Sequence, residues 1–273
     1  MGVVAYAHPG LDEQIADLTR RIATSPQDAH LYLERGEVHR IHCDWAAARQ
    51  DFDHAQELEP GLTEVDLARG RMLLDADRVA DAAAPLERYV ATNPGDPEGL
   101  ALLARVRIAQ DRPLEGAALL DRAIADLDGS RGHPEYYLAR ARALAAAGPA
   151  HVDDAIAGLD EGLVALDHPV TLELLAIEIE EGRGRHAAAL TRVDRLAAAA
   201  ERKETWLIRR GEILETAGRF DEARASYRDT LKAIDSLPAR RRANPAVTRL
   251  VDEATTALER LDGMHSETAR VVR

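Results

Sequence analysis

The chain has 273 residues, a formal net charge of −13 at pH 7 and 46% hydrophobic residues, of which few are aromatic. An acidic chain lacks the positive field with which a general nucleic-acid-binding protein meets phosphate groups. The one cysteine, Cys43, allows neither an intrachain disulfide nor a cysteine-based zinc site, and no apolar run is long enough to span a membrane. Alanine, leucine, glutamate and arginine are frequent, and these helix-forming residues predict an all-α protein.

The first segment, residues 1–10, contains Ala5-Tyr6-Ala7. This A-x-A pattern is typical of signal-peptidase sites, although a full charged and apolar leader is missing. If Met1 is the native start, we expect a cytoplasmic protein. If Ala5-Tyr6-Ala7 is a cleavage site, we expect a periplasmic or exported protein, and residues 1–10 are a signal-peptide remnant.

A helical pattern then repeats over residues 11–238. Its first part, Leu11 to Ala23, has apolar residues at helical spacing and is interpreted as a lone helix, a leading half-repeat. Prolines follow at a spacing of 34 residues, at Pro26, Pro60 and Pro94. Proline lacks an N–H group and clashes with the preceding helical turn, so these positions predict the ends of helices.

Six sets of small and large residues recur along this region. Each set has a small residue in a first helix, a small residue early in a second helix, and a large residue four positions later. The sets are Gly36, Ala48 and Phe52; Gly70, Ala82 and Leu86; Ala104, Gly116 and Leu120; Ala141, Ala155 and Leu159; Ala176, Ala188 and Arg192; and Gly211, Ala223 and Tyr227. Arg192 breaks the pattern, which predicts that the fifth repeat is shifted by one residue and uses Val193.

This pattern resembles the tetratricopeptide repeat family, whose motif is W-x2-L-G-x2-Y, then A-x3-F, then P, at a period of 34 residues. Residues 211–227 match the motif best, and the resemblance covers about residues 11–238. It implies a right-handed α-solenoid of about six helix-turn-helix repeats that acts as a non-enzymatic protein–protein interaction scaffold or adaptor, for instance in a bacterial assembly or export pathway. Four repeats depart from the motif, because arginine replaces the leucine before the small residue, at Arg35, Arg69, Arg140 and Arg210.

The end of the chain predicts a cap for the last hairpin. Residues 239–262 are expected to form a C-terminal capping helix: after a break at Pro238 and Pro245, residues 246–261 have one apolar helical face. Residues 263–273 are expected to be a flexible tail. Since the cap covers the last hairpin, we expect a monomer or weak self-association.

The resemblance also implies that the first helix of each repeat lines a concave groove. The residue after each small residue then faces the groove, which gives the column Glu37, Arg71, Arg105, Arg142, Ile177 and Glu212. The acidic residues Glu173, Glu180, Glu181 and Glu215 are expected to make its C-terminal end negative. The candidate partner-binding residues are Arg71, Arg105 and Arg142, with the apolar Leu67, Leu74, Ile108 and Leu138.

Two hypotheses for these arginines stay open. They bind a protein or peptide through its acidic groups or C-terminal carboxylate, in charge-assisted hydrogen bonds. Alternatively, they pair only with carboxylates of neighbouring repeats, such as Asp75 or Glu98, which contributes little to stability.

No catalytic motif is present, so neither an enzyme nor a cofactor is expected. Metal binding is an alternative, because His39, His42, Cys43 and His54 lie close together in the sequence. An RNA-binding helical repeat is another, since pentatricopeptide units have a similar length, but the negative net charge argues against a nucleic-acid partner.

Overall fold

The fold comes from a computed structural model, which describes residues 10–125, 127 and 133–271, the last eight of these without side chains. Residues 1–9, with most of the predicted signal-peptide remnant, lie outside this range. The described residues form only helices, so the prediction of an all-α helical-repeat fold is confirmed. The α-helices are α1 Leu11–Thr24, α2 Ala29–Ile41, α3 Trp45–Leu58, α4 Glu64–Asp75, α5 Ala83–Thr92, α6 Pro97–Ala109, α7 Pro113–Ala125, α8 Pro134–Ala146, α9 Val152–Ala165, α10 Val170–Gly182, α11 His186–Ala199, α12 Glu204–Thr216, α13 Phe220–Asp235, α14 Ala239–Arg242 and α15 Pro245–Val271.

Successive helices form hairpins, in which we name the first helix the A-helix and the second the B-helix. The hairpins are α2–α3, α4–α5, α6–α7, α8–α9, α10–α11 and α12–α13, and α1 precedes them. A short 3₁₀ turn at Pro149–His151 leads into α9. None of the helices in the described part of the chain is long and apolar enough to cross a membrane.

The chain divides into two compact units, Met1–Gly158 and Leu159–Arg273, which we name unit 1 and unit 2. In unit 1 the B-helices α3, α5 and α7 each pack on the next A-helix, and the A-helix α4 also contacts the A-helices α2 and α6. In unit 2 the last helix, α15, packs on α12 and α13. Each hairpin thus buries its apolar face against a neighbour, as stacked repeats require.

The predicted helix ends are found where proline placed them. Helices α1, α3 and α5 end two residues before Pro26, Pro60 and Pro94, respectively. Several helix starts are capped by an aspartate whose carboxylate accepts a backbone N–H of the first turn. These caps are Asp28 on α2, Asp44 on α3 and Asp96 on α6.

The hairpin turns set the register of every repeat. Each turn has one residue with positive φ, and these residues are Cys43, Asp77, Asp111, Gly148, Gly184 and Gly218. In most hairpins the predicted small A-helix residue lies seven positions before this turn residue, and the large B-helix residue lies nine positions after it. By the same count the fifth hairpin uses Ile177 and Val193. The predicted shift to Val193 is confirmed, since this side chain is fully buried.

Small and large residues are matched across each hairpin. A Cβ added to Gly36 would lie 2.5 Å from Cε1 of Phe52, and one added to Gly211 would lie 2.6 Å from Cε1 of Tyr227. The A-helix glycine therefore makes room for the ring of the B-helix.

The arginines that replace the motif leucine link successive repeats. Their guanidinium groups donate to the helix that precedes their own A-helix. The contacts are Arg35 to Thr19 at 3.1 Å, Arg69 to Asp53 at 2.8 Å, Arg140 to Asp121 at 2.9 Å and Arg210 to Asp194 at 3.0 Å. The departure from the motif thus replaces an apolar contact with a polar one at the same interface.

The C-terminal helix covers the last hairpin but differs from its expected bounds. Ala254, Ala257 and Leu261 of α15 are buried in a core cluster with residues of α10 to α13. The short α14 lies within the predicted break between Pro238 and Pro245, and α15 begins at Pro245 and continues to Val271, beyond the predicted end at Leu261. The segment expected to be a flexible tail is therefore helical up to Val271. Its single glycine, Gly263, costs about 1 kcal/mol in a helix and does not end it.

Candidate partner-binding face

Two of the predicted groove residues belong to the core. Leu67 is 7% exposed and Leu74 is 2% exposed, in a cluster with residues of α5 and α6. The prediction that they contact a partner is wrong, because α4 packs against α2, α5 and α6 and its apolar stripe is covered. Ile108 and Leu138 are partly buried and keep an accessible surface.

Arg71 is already paired. Its Nε lies 2.6 Å from Oε1 of Glu98, and a terminal nitrogen lies 3.5 Å from Oε1 of Glu37. Burial lowers the pKa of Arg71, but the two carboxylates more than offset this and raise it above its ordinary value. Pairing with neighbouring repeats, one of the two hypotheses, therefore describes Arg71.

The pairs of Arg71 extend into a ladder across three A-helices. Arg40 on α2 donates to Glu37 at 2.8 Å and also pairs with Asp75 on α4. Glu37, Arg71 and Glu98 then connect α2, α4 and α6. The N-terminal part of the column is thus electrically compensated by the protein itself.

Arg105 on α6 and Arg142 on α8 differ from Arg71 in their exposure and in their pairing. Both side chains are exposed. Within the described ranges neither has a hydrogen bond or an ion pair. They occupy equivalent positions, six residues before their turn residues Asp111 and Gly148. Their charges are therefore available to a partner.

The start of α8 packs against the preceding hairpins. Tyr136 of α8 contacts the core cluster formed by α4 to α7. Burial raises the pKa of Tyr136, and the nearby Glu98 of α6 raises it further.

We name the accessible residues Arg105, Ile108, Leu138 and Arg142 the arginine face of unit 1.

The A-helices of unit 2 present acidic residues instead. By the turn register, the column residue of the fifth hairpin is the exposed Glu178, whereas Ile177 is 1% exposed. The prediction that Ile177 faces the groove is wrong, because the one-residue shift of the fifth hairpin places Ile177 in the core and Glu178 at the column position. The next column residue, Glu212, is exposed and pairs with Arg209 at 3.0 Å.

Two other acidic residues assigned to the groove are buried instead. Glu173 and Glu180 are 3% and 4% exposed, so the prediction that they line the groove is wrong. Arg192, which is 6% exposed, donates to each of them at 3.0 Å and to Asp160 at 2.8 Å. These four residues, together with Arg195 at 3.0 Å from Glu173, form what we name the buried ionic cluster.

One oxygen of this cluster is unsatisfied. Oε2 of Glu180 is buried and has no hydrogen-bond partner among the described residues. Desolvation raises the pKa of Glu180 above its ordinary value, in spite of the opposing effect of Arg192. The sequence signal for the cluster was the occurrence of glutamates at positions that are mostly apolar in other repeats.

The histidines near Cys43 do not converge. Each faces a different neighbour: His39 lies 3.9 Å from Asp51, His42 lies 4.0 Å from Asp12, and the ring of His54 lies 4.3 Å from that of Tyr32. Over the residues that the structure covers, no three His, Cys, Asp or Glu side chains form a group that could hold a metal ion.

Comparisons with known proteins test the predicted resemblance. The tetratricopeptide repeat model matches residues 42–97 and 175–238. The C-terminal part of a TPR repeat-containing protein from Cytophaga hutchinsonii is similar, with a TM-score of 0.65, 12% identity, and coverage of 84% of this chain and 95% of that chain. PilW, a type IV pilus biogenesis factor, gives a TM-score of 0.58 and 20% identity over 72% of this chain and 90% of its own.

YrrB, described as a TPR protein with an unusual peptide-binding site, gives a TM-score of 0.55 and 16% identity over 65% of this chain and 89% of its own. Identities this low show the fold alone. No curated protein matches the chain at the level of sequence. The predicted resemblance is confirmed by the family model, which matches a segment in each of the two units, and by the fold.

Proposed function

We propose that the chain is a non-enzymatic interaction scaffold whose arginine face in unit 1 binds an acidic peptide segment or a C-terminal carboxylate. The observation that carries this proposal is the contrast within one column. Arg71 is held by two carboxylates, whereas Arg105 and Arg142 are exposed and unpaired in the described part of the chain.

The chemistry of the face suits a carboxylate ligand. A guanidinium group can donate two parallel hydrogen bonds to a carboxylate, and such charge-assisted bonds are stronger than neutral ones. Ile108 and Leu138 offer apolar contacts beside the two charges. The peptide-binding site named for YrrB lies on a protein of the same fold, which supports a peptide as the ligand class.

The alternatives receive less support. The net charge of −13 disfavours an RNA-binding role. Metal binding is disfavoured because His39, His42 and His54 face different neighbours.

The test is selection of peptides from a random displayed library on the wild-type protein, followed by fluorescence anisotropy with the selected peptides. The R105A/R142A variant removes both unpaired charges. The matched control is R49A/R112A, which removes the same charge from exposed positions outside the A-helices of unit 1.

We expect the selected peptides to be enriched in Asp, Glu or a free C-terminal carboxylate. Because a hydrogen bond to a charged group contributes roughly 1.5–3 kcal/mol, R105A/R142A should weaken binding by at least about tenfold. The control should bind like the wild type. Equal affinities of R105A/R142A and the control would show that the arginine face does not hold the peptide.

A further inference from the structure

A second group of cations lies in unit 2, where α13, α14 and α15 follow one another. It consists of Arg228, Lys232, Arg240, Arg241, Arg242 and Arg249, and we name it the basic elbow. Residues 228–249 hold these six cations and only the acids Asp229 and Asp235, a net charge of +4 within a chain of −13. Positive charge is therefore concentrated here against the trend of the whole protein.

The cations of the basic elbow are exposed and unpaired. All six side chains are exposed, and none makes a hydrogen bond or an ion pair within the described ranges. Elsewhere the chain places carboxylates against most of its arginines. On the same helix α13, for example, Arg224 donates to Asp221 at 2.8 Å and to Asp262 at 3.1 Å. The elbow thus lacks the compensation that is usual in this protein.

The elbow is one continuous region. Helices α13 and α15 pack together, and α14, which connects them, contacts α15. Lys232 lies in the last turn of α13, and Arg249 lies in the second turn of α15. Both therefore lie near the end of the helix pair that carries α14.

The three successive arginines of α14 do not form a clamp for one group. Neighbouring residues of a helix point about 100° apart, so Arg240, Arg241 and Arg242 diverge. A divergent set of guanidinium groups suits a ligand with several separate carboxylates along an extended backbone. Each of these carboxylates can accept a charge-assisted hydrogen bond from a different arginine.

We propose that the basic elbow is a docking surface for an extended acidic segment of a partner protein, rich in Asp and Glu. The rest of the chain, without residues 228–249, carries a net charge of −17. A nucleic acid or an anionic membrane is a large charged body that this acidic remainder repels. A short acidic segment contacts the elbow alone, since charges farther away than about 8 Å are largely screened at physiological salt.

The test uses a fluorescent twelve-residue peptide of alternating glutamate and serine, with binding read by fluorescence anisotropy. All proteins carry R105A/R142A, so that the arginine face of unit 1 does not contribute. In this background R240A/R241A/R242A removes three charges of the elbow. The matched control R20A/R49A/R112A removes three exposed arginines of unit 1. Circular dichroism checks that both variants keep their helix content, since alanine is a good helix former.

We expect the elbow variant to bind the peptide at least about tenfold more weakly than the R105A/R142A parent, and the control to bind within about twofold of it. Binding by the parent should weaken as salt rises from 50 to 300 mM, because the contacts are electrostatic. The proposal is overturned if the parent does not bind the peptide, or if the elbow variant and the control bind equally. Tighter binding of the parent to a single-stranded RNA or to phosphatidylserine vesicles would also overturn it. Because every protein lacks the arginine face, failure here leaves the proposed function of unit 1 unaffected.

Discussion

The fifth and sixth hairpins, α10–α11 and α12–α13, share one backbone register and differ in how they fill it. Their turn glycines, Gly184 and Gly218, both have positive φ. At the contact between the two helices, the sixth hairpin pairs Gly211 with the ring of Tyr227. In the fifth hairpin, the same register gives Ile177 and Val193, both buried. The same register is thus filled by a glycine and a large ring in the sixth hairpin and by two branched side chains of middle size in the fifth.

The two hairpins also differ in the polarity of their interiors. The fifth contains Glu173, Glu180 and Arg192, the three buried members of the buried ionic cluster. The equivalent positions of the sixth hold Leu207, Leu214 and Ser226. Burying ions costs desolvation that their mutual attraction often fails to exceed, so we expect the cluster to contribute less to stability than apolar packing of the same volume. Register is set by the turn, and the charges in the interior of the fifth hairpin lie against one another, since Arg192 donates to both glutamates.

The largest expected effect comes from breaking the cluster. In Arg192→Met, the carboxylates of Glu173 and Glu180 stay buried without their principal partner. We expect a loss of about 3–5 kcal/mol in the free energy of unfolding, measured by urea denaturation.

The variant E173L/E180L/R192M is the control for this loss, since it makes the fifth hairpin as apolar as the sixth. Asp160 and Arg195 then remain half-exposed and can be solvated. We expect the free energy of unfolding to return to within about 2 kcal/mol of the wild type or to exceed it. If the triple variant is less stable than Arg192→Met alone, the ionic cluster is a net source of stability and the comparison fails.

The next effect comes from the size match in the sixth hairpin. In Gly211→Ala, the added Cβ would lie 2.6 Å from the ring of Tyr227, whose hydroxyl is held by Glu215 at 2.6 Å. We expect a loss of about 1–3 kcal/mol from overpacking. Gly182→Ala is the matched control, because no atom lies within 4 Å of its added Cβ. A loss of similar size in the control would mean that size matching does not cause the effect.

A smaller effect concerns pH. Desolvation raises the pKa of Glu180 in the folded protein above its ordinary value of 4.5. The stability that protonated Glu180 contributes is therefore fully present below its ordinary pKa of 4.5. It is lost as pH rises through the higher pKa of the folded protein. We expect Glu180→Gln to gain stability relative to the wild type as pH rises above 4.5, measured as the difference in their free energies of unfolding. A difference that is constant with pH would show that Glu180 ionises in the folded protein as it does in the unfolded chain.

The smallest effect is expected at an exposed link between repeats. Arg210 contacts Asp194, and the two side chains are 29% and 54% exposed. Arg210→Ala should cost less than about 1 kcal/mol in thermal or urea unfolding. Arg140→Ala, at the equivalent but buried position, removes a guanidinium that donates to the carbonyl of Gly158, and it should cost about 1–3 kcal/mol. Equal losses of unfolding free energy in the two variants would contradict the view that the buried contact contributes more than the exposed one.

Much of the fold could be predicted because its causes are local. Pro26, Pro60 and Pro94 end helices through their own covalent structure. Gly36 with Phe52 and Gly211 with Tyr227 recur at a fixed spacing. The candidate site was predicted less well, because Leu67 and Leu74 are as apolar as exposed groove leucines would be. Their burial depends on how closely α5 and α6 approach α4, and helix propensity carries no information about that distance.

The sequence by itself determined the period, the hairpins and the size matching between A- and B-helices, because each depends on backbone conformation and on residues a few turns apart. Only the tertiary structure decided which arginines are free. Arg71, Arg105 and Arg142 are alike in sequence context, and Arg71 is paired because packing brings Glu98, 27 residues away, within 2.6 Å of it. Whether an ion pair forms depends on the distance between two helices. A small shift in packing is enough to move two charged groups beyond hydrogen-bond distance.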